Sequence, residues 1–404
     1  MAKKNFVNLI LISSNWELNH RERLHNALND TLGKWSEIQF VEYPFSIFIH
    51  TLIKFRSRFF PLLKYGRKRE INNKKIFTPI IFFHDKIWKR VNFTFKLDSF
   101  LIRWQLNRFI NSKFSKSSII LWCYHPHNYL VIKSVKRNYI VYDYYDNYAY
   151  NNDGTLNKLL DELNEKTVMQ ANLIFCTGQI MFNYAKKINS DTYYVPNGHD
   201  FNLNEMQKIK KFDFRLKGNI IGYIGNIRDW IDFNLIQDLL DSLPENNNLV
   251  FVGPVERNVK GKIELLKLNK KFKHYNKVPY HKIPGYIKGF NVAIIPFKLN
   301  KFTEGVLPNK FFEYLVCETK IVSTNLPDLK YYSEFVNIAD SNKKFIEYCI
   351  SPNTLINPVM SANYQTAVED STWNSRGITM NNILLNLLNN SGSSENHNRN
   401  NKSI

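Results

Sequence analysis

Short runs of β-branched and apolar residues recur along this chain, each followed by a turn and then a stretch with helical spacing. Phe6–Ser13 reads FVNLILIS, Ser118–Cys123 reads SIILWC, and Leu173–Thr177 reads LIFCT. Runs this short and this continuous fit strands buried on both faces, as in parallel sheets. Further strands are expected at Ile38–Tyr43, Tyr139–Tyr142, Thr192–Val195, Asn219–Ile224, Leu249–Val252, Val292–Pro296 and Lys320–Thr324. Helical segments are expected around Glu22–Leu32, Thr155–Gln170, Phe233–Ser242, Lys260–Lys270, Asn309–Cys317 and Ile378–Leu388. Strand and helix alternate throughout, which predicts an α/β protein with helices on both sheet faces.

The 404 residues exceed what one hydrophobic core usually serves. Between His199 and Lys217 the pattern lapses into polar, weakly periodic sequence, and we read that stretch as a linker. The expected domains are 1–200 and 213–372, with 373–388 as a closing helix and the Asn- and Ser-rich 389–404 as a disordered tail. Four scattered cysteines (Cys123, Cys176, Cys317, Cys349) make no C-x-x-C pair, which argues against a zinc site or disulfide framework. The start lacks the apolar core of a secretion signal, and no apolar run reaches the length of a membrane span, so a cytoplasmic protein is expected.

Net charge is +20, concentrated between Lys54 and Lys116, where 17 Lys and Arg face three acids. That field attracts polyanions. Aromatic residues are interleaved with it (Phe59, Phe60, Tyr65, Phe77, Phe82, Phe83, Trp88, Phe93, Phe95), a mixture suited to an anionic membrane surface. We therefore expect peripheral attachment to the inner face of the cell membrane. Nucleic acid is the competing partner on charge alone, but no zinc finger, aromatic RNP motif or helix-turn-helix signature accompanies the charge.

Two stretches carry the chemistry. In Asn219–Arg228 a strand ends at Gly222 and Gly225, with Asn226 and Arg228 just beyond and a helix starting near Asp232. Glycines there let backbone approach phosphate, and Arg228 offers a bidentate contact. In Asn300–Leu315 a loop after a strand opens a helix at Pro308, Asn309 and Lys310. Lys310 sits in the first turn, where a cation opposes the helix dipole by about 0.3–1 kcal/mol. A phosphate would offset that. Glu313, one turn on, can accept hydrogen bonds from the two hydroxyls of a ribose. For a general base, Asp143 and Asp146 follow the strand Tyr139–Tyr142, and His125 follows another strand. Asp146 is preferred.

Taken in order, these segments resemble glycosyltransferase family 4 and its close relatives, of the two-domain GT-B fold. Tyr142-Asp143-Tyr-Tyr-Asp146-Asn147-Tyr148, Ala171–Thr177 and Val195-Pro196-Asn197-Gly198-His199-Asp200 match its "YD..D.Y", "ADLVF.TS" and "PNGVD". Gly222–Asp232, Gly253-Pro254, Tyr280–Tyr286, Pro296-Phe297 and Pro308–Leu315 follow its later motifs, and Trp373…Arg376 its late "W..R". The resemblance is strongest over 142–330. It implies two Rossmann-like domains facing a cleft, with the closing helix crossing back onto the first. The first domain would hold a saccharide or lipid-linked acceptor. The second would hold a UDP- or GDP-linked sugar through Gly222, Gly225, Asn226, Arg228, Pro308, Asn309 and Lys310, with Glu313 on the ribose. It further implies transfer without a bound metal or other cofactor, and the chain has no D-x-D motif. In one respect it departs from the family pattern: Gly305 stands where a first glutamate is usual, and Glu304 is one step out of register. An epimerase of the same fold and a silent sugar-binding subunit are the remaining alternatives.

Overall fold

The computed structural model describes residues 5–14, 16, 21–46, 68–83 and 92–400, with side chains of the last helix described to Asn390. Phe59, Phe60, Tyr65 and Trp88 of the basic aromatic stretch lie outside those residues.

The first domain is built on an eight-stranded sheet ordered β10-β9-β8-β7-β1-β2-β5-β4. Its strands are β1 (Phe6–Leu11), β2 (Glu37–Val41), β4 (Arg69–Ile71), β5 (Lys74–Phe77), β7 (Ser118–Cys123), β8 (Tyr139–Tyr144), β9 (Leu173–Cys176) and β10 (Thr192–Tyr194). All neighbours pair in parallel except β4 with β5; the short β3 (Phe45–Ser46) and β6 (Ile80–Ile81) pair beside the sheet. Period-two alternation sends successive residues of β1 to opposite faces. Val7, Leu9 and Leu11 enter one core, and Ile10 enters the other. Both faces are therefore buried, which is why the run is continuously apolar. The polar side chain within β1 is matched: Trp122 Nε1 donates to Asn8 Oδ1 (2.8 Å), and Asn8 Nδ2 donates to Ser36 (2.7 Å).

The second domain repeats the plan with six parallel strands, ordered β13-β12-β11-β14-β15-β16. They are β11 (Ile220–Ile224), β12 (Asn248–Val252), β13 (Phe272–Tyr275), β14 (Val292–Ile295), β15 (Ile321–Thr324) and β16 (Asn337–Ala339). Strand order reverses between β1 and β7 in the first sheet, and between β11 and β14 in the second. At such points the loops diverge at the strands' carboxyl ends and leave a crevice for ligand.

The helices used below are α1 (Glu22–Leu32), α2 (Asn92–Lys113), α3 (Lys158–Gln170), α4 (Gln179–Ile188), α5 (Phe233–Ser242), α6 (Asn309–Val316), α7 (Tyr364–Asp370) and α8 (Trp373–Asn400). Asp232 caps α5 by accepting from Asn234 N and Leu235 N (both 3.1 Å), so its start falls where the sequence placed it. Helices α2 and α4 were not anticipated. Aromatic residues lie on both faces of α2, so its 3.6-residue period is masked.

Two sequence expectations need correction. The stretch after His199 is no free linker: Phe201, Met206 and Phe214 are buried in the second core, so the second domain begins just past His199. The tail expected to be disordered from 389 continues α8 to Asn400. A helix already nucleated propagates at low cost even through polar residues.

Helix α8 does cross back to the first domain. Met380, Leu384 and Leu388 join Leu24, Leu28 and Leu32 of α1 in one core, and Gly377 lets the helices approach, its Cβ position being 3.0 Å from Ala27 Cβ. The two strands of chain that join the domains run side by side. His199 N donates to Ser371 O and Trp373 N to His199 O (both 2.9 Å). His199 is fully buried, and burial lowers its ring pKa to about 4, so it is neutral. Nδ1 accepts from Phe201 N (3.2 Å), leaving Nε2–H to donate to Val368 O (3.0 Å).

Candidate functional site

The carboxyl ends of the two sheets face each other across a cleft, and an open cavity of about 880 Å³ lies in it. Tyr145, Asp146 and Asn197 line it from the first domain; Trp230, Phe302 and Thr303, with Pro308, Asn309 and Lys310, line it from the second.

Lys310 is the focus. Gly225 ends β11 at φ +132°, a conformation that favours glycine. A Cβ there would lie 2.6 Å from Lys310 Cε and 2.7 Å from Nζ, so the lysine lies directly on the bare backbone turn. Gly253 (φ +141°) permits the same approach on the other side, since a Cβ on it would collide with Gly225 O. Nζ stands 5.1 Å from the centroid of Tyr223 and 5.7 Å from that of Phe297. Those rings hold the cation in place. Among the described residues Lys310 has no ion-pair partner. An unneutralised cation at the start of α6, beside a glycine turn at the sheet's switch point, is an anion-binding arrangement.

Asp146 lines the same cavity and a second one of about 980 Å³, which it shares with Arg228, Asp229 and Trp230. Its carboxyl is pushed up to about 6, chiefly by burial, against the pull of the Asn147 N–H on Oδ1 (3.0 Å) and of Arg21. A carboxylate poised near neutrality suits a general base.

The other anticipated residues fall in different places. Gly222 lies at the middle of β11, where a Cβ would enter the Phe290 ring; it is a packing glycine. Asn226 is exposed, and its carbonyl accepts from Tyr223 Oη (2.8 Å). Arg228 lines the second cavity and not the one that holds Lys310; it pairs with Glu256 (3.8 Å), with its guanidinium 5.1 Å from the Trp230 centroid. Asp143 is buried in an ion pair with Arg21 (2.5 Å), whose guanidinium also contacts Asn197 Oδ1 (3.3 Å) and lies over Tyr145. An acid so engaged holds the first domain's loops in place; it does not face the cavity. His125 lines neither cleft cavity. It faces one of about 750 Å³ in the first domain, at the switch between β1 and β7, with Ser13, Tyr43, Phe95 and His127. Glu313 is 8% exposed and holds Arg23 Nη1 (3.2 Å) and Tyr280 Oη (3.3 Å) on Oε1.

Sequence reasoning missed Arg21, Arg23, Trp230 and Tyr280. One signal was available: two arginines at the start of α1, where the dipole disfavours cations, demand acidic partners from elsewhere.

Several hydrogen bonds close the cleft. Asn147 Nδ2 donates to Lys301 O (2.9 Å), Asn300 Nδ2 to Asn152 O (3.0 Å), and Asn197 Nδ2 to Leu307 O (2.8 Å). Gly305 abuts Asn147, its Cβ position lying 2.9 Å from the Asn147 Cβ. A glutamate side chain at 305 would have no room, which accounts for glycine where the family pattern has an acid.

Residues 204–334, which contain the Gly225 turn and Lys310, match the family model described as glycosyl transferases group 1. The second domain is therefore similar to the group 1 glycosyl transferases. A Bacillus subtilis (strain 168) protein named for a glycosyltransferase of teichuronic acid biosynthesis, TuaH, is 27% identical over 252 residues. That match takes in 57% of this chain and 62% of the relative. Among solved structures, Anabaena HepE in complex with UDP and glucose superposes with TM-score 0.61 at 11% identity, over 95% of this chain and 99% of that one. A UDP-forming α,α-trehalose-phosphate synthase from Burkholderia xenovorans gives TM-score 0.64 at 10% identity, over 95% and 99%. At such identity these likenesses establish the fold, which is GT-B: two Rossmann-like domains facing a cleft.

Proposed function

We propose that this chain transfers a glycosyl group from a nucleotide-diphosphate sugar to a saccharide or lipid-linked acceptor in cell-surface polysaccharide assembly. The observation that carries this reading is the unpaired Lys310 lying on the Gly225 turn, in one cavity with a carboxylate raised to about 6. The diphosphate lies against Lys310 and the open N–H groups at the start of α6. As the bond from the anomeric carbon to phosphate breaks, the leaving diphosphate takes the electron pair and gains charge. Lys310 and the N–H groups stabilise that charge where it develops, so the scheme calls on no bound metal. The acceptor oxygen forms the new bond to carbon, and Asp146 takes its proton. The sheet-switch cavity beside His125 receives the acceptor. Matches to proteins named for teichuronic acid biosynthesis and solved with UDP support the substrate classes.

We further propose that the protein works at the inner membrane surface. No helix among the described residues is long and apolar enough to cross a bilayer. Helix α2 instead exposes Phe93 (70%), Phe100 (51%) and Trp104 (52%) beside Lys96, Arg103 and Arg108, a mixture of rings and cations suited to an anionic surface.

Calorimetric titration with UDP, GDP, dTDP and CMP tests the donor reading. We expect one diphosphate to bind and Lys310→Ala to weaken it at least tenfold. Sugar release from the matching nucleotide sugar should require an acceptor; an isomerised sugar would instead mark an epimerase. If no nucleotide diphosphate binds, the reading fails.

A further inference from the structure

Glu313 belongs to the second domain, yet its carboxylate is held from the first. Arg23, in the first turn of α1, places Nη1 3.2 Å from Glu313 Oε1 across 290 residues of chain. Its guanidinium carbon stands 3.3 Å from the centroid of the Tyr280 ring, which stacks on Phe201 at 5.0 Å and 17°. Tyr280 Oη donates to the same Glu313 oxygen (3.3 Å), and Arg23 Nε lies 3.6 Å from Asp200 Oδ2. Most surface ion pairs contribute little because two long side chains must be immobilised. Here the ring stack and a second carboxylate already immobilise the guanidinium, and its planar fork reaches both acids at once.

We propose that Arg23 is a positioning residue of the donor site: it fixes Glu313 so that one carboxylate oxygen is committed and the other is presented to a vicinal sugar diol of the nucleotide. This rests on the donor reading above. Among the described residues the contacts from Arg23 and Tyr280 both fall on Oε1 and none falls on Oε2, the oxygen left to accept from a ribose. Without Arg23, Glu313 and Asp200 confront each other with no cation between them. The carboxylate is then free to turn, and the like charges drive it from the diol. Because Arg23 rides on the first domain, the nucleotide site is complete only when the domains are closed, so nucleotide affinity is coupled to closure.

The test uses the full chain and whichever diphosphate binds it, UDP or GDP, against its 2′,3′-dideoxy counterpart. The wild type should prefer the ribonucleotide about tenfold, the order expected for charge-assisted hydrogen bonds to the diol. Arg23→Gln should lose about that factor for the ribonucleotide and almost none for the dideoxy form, so the preference collapses toward one. Arg23→Lys, which keeps the charge without the fork, should fall between. A variant that had merely lost stability would weaken both nucleotides equally, and unfolding midpoints measured alongside identify that case. Tighter ribonucleotide binding by Arg23→Gln, or an unchanged preference, would overturn the proposal. Failure of the wild type to bind either diphosphate would instead overturn the donor reading.

Discussion

Asp146 and Asp143 are three residues apart and of the same type, one partly exposed in the cleft and the other fully buried, and their chemistry differs because of what each faces. Asp143 meets Arg21 at 2.5 Å and is tied up by it. Asp146 meets one backbone N–H and the open cleft, so burial raises it to about 6. A base must be ionised to accept a proton, so transfer should rise with pH through about 6 and level off above it. Asp146→Asn keeps the acceptor for Asn147 N and should fold normally. We expect it to lower turnover by a factor of about 100 or more while leaving nucleotide affinity intact. Turnover assays across pH 5–8, paired with nucleotide titration, check this; a variant as fast as wild type removes Asp146 from the role.

Helix α2 carries two different faces. The inner one packs Phe95, Ile102, Leu106, Phe109 and Ile110 into the first core, and Asp98 accepts from Phe82 N (2.9 Å) and Phe83 N (3.0 Å). On the outer one Arg103 lies 5.2 Å from the Phe100 centroid, and Arg108 lies 5.7 Å from that of Trp104. Rings and arginine stems together make an apolar layer edged with charge. Replacing Phe100 and Trp104 with Ser removes that layer without touching the core. Binding to phosphatidylglycerol vesicles at low salt should fall about tenfold or more, with the unfolding midpoint shifted little, since each basic or apolar group at such a surface contributes about 1 kcal/mol. Vesicle sedimentation reads the outcome; wild-type protein that ignores anionic vesicles sinks the idea.

At the scale of the molecule, the closed arrangement depends on a cap supplied from the opposite domain. Gly178, the N-cap of α4, has no side chain to cap the helix, and Asp328 of the second domain accepts from Gln179 N (2.8 Å). Burial raises Asp328 to about 6. A carboxyl raised in the folded state stabilises most at low pH, and that contribution is lost as pH rises through about 6. Asp328→Asn keeps the acceptor and avoids the buried charge. It should therefore match the wild type near pH 4 and exceed it in thermal stability at pH 8. Asp328→Ala also avoids the buried charge but loses the cap, so it should lie about 1 kcal/mol below Asp328→Asn at both. A wild-type midpoint that stays above that of Asp328→Asn at pH 8 would contradict this account.

By itself the sequence determined what local chemistry controls. Buried strands announce themselves because both faces are apolar, so Phe6–Leu11, Ser118–Cys123 and Ile220–Ile224 fall where their runs predict. The Gly225 and Lys310 turns were likewise legible as turns, because a strand's end at positive φ favours glycine and the loop before α6 breaks the apolar pattern. Gly222 could not be separated from Gly225 by sequence: one is packed against Phe290, the other bare beneath Lys310, and only the fold supplies those neighbours. The partner of Glu313 was equally hidden. Arg23 lies 290 residues away on a different domain, and nothing in either segment encodes the other. Tertiary structure alone decided which carboxylate is neutralised and which faces the cleft, since charge and burial depend on distances that the chain order does not contain.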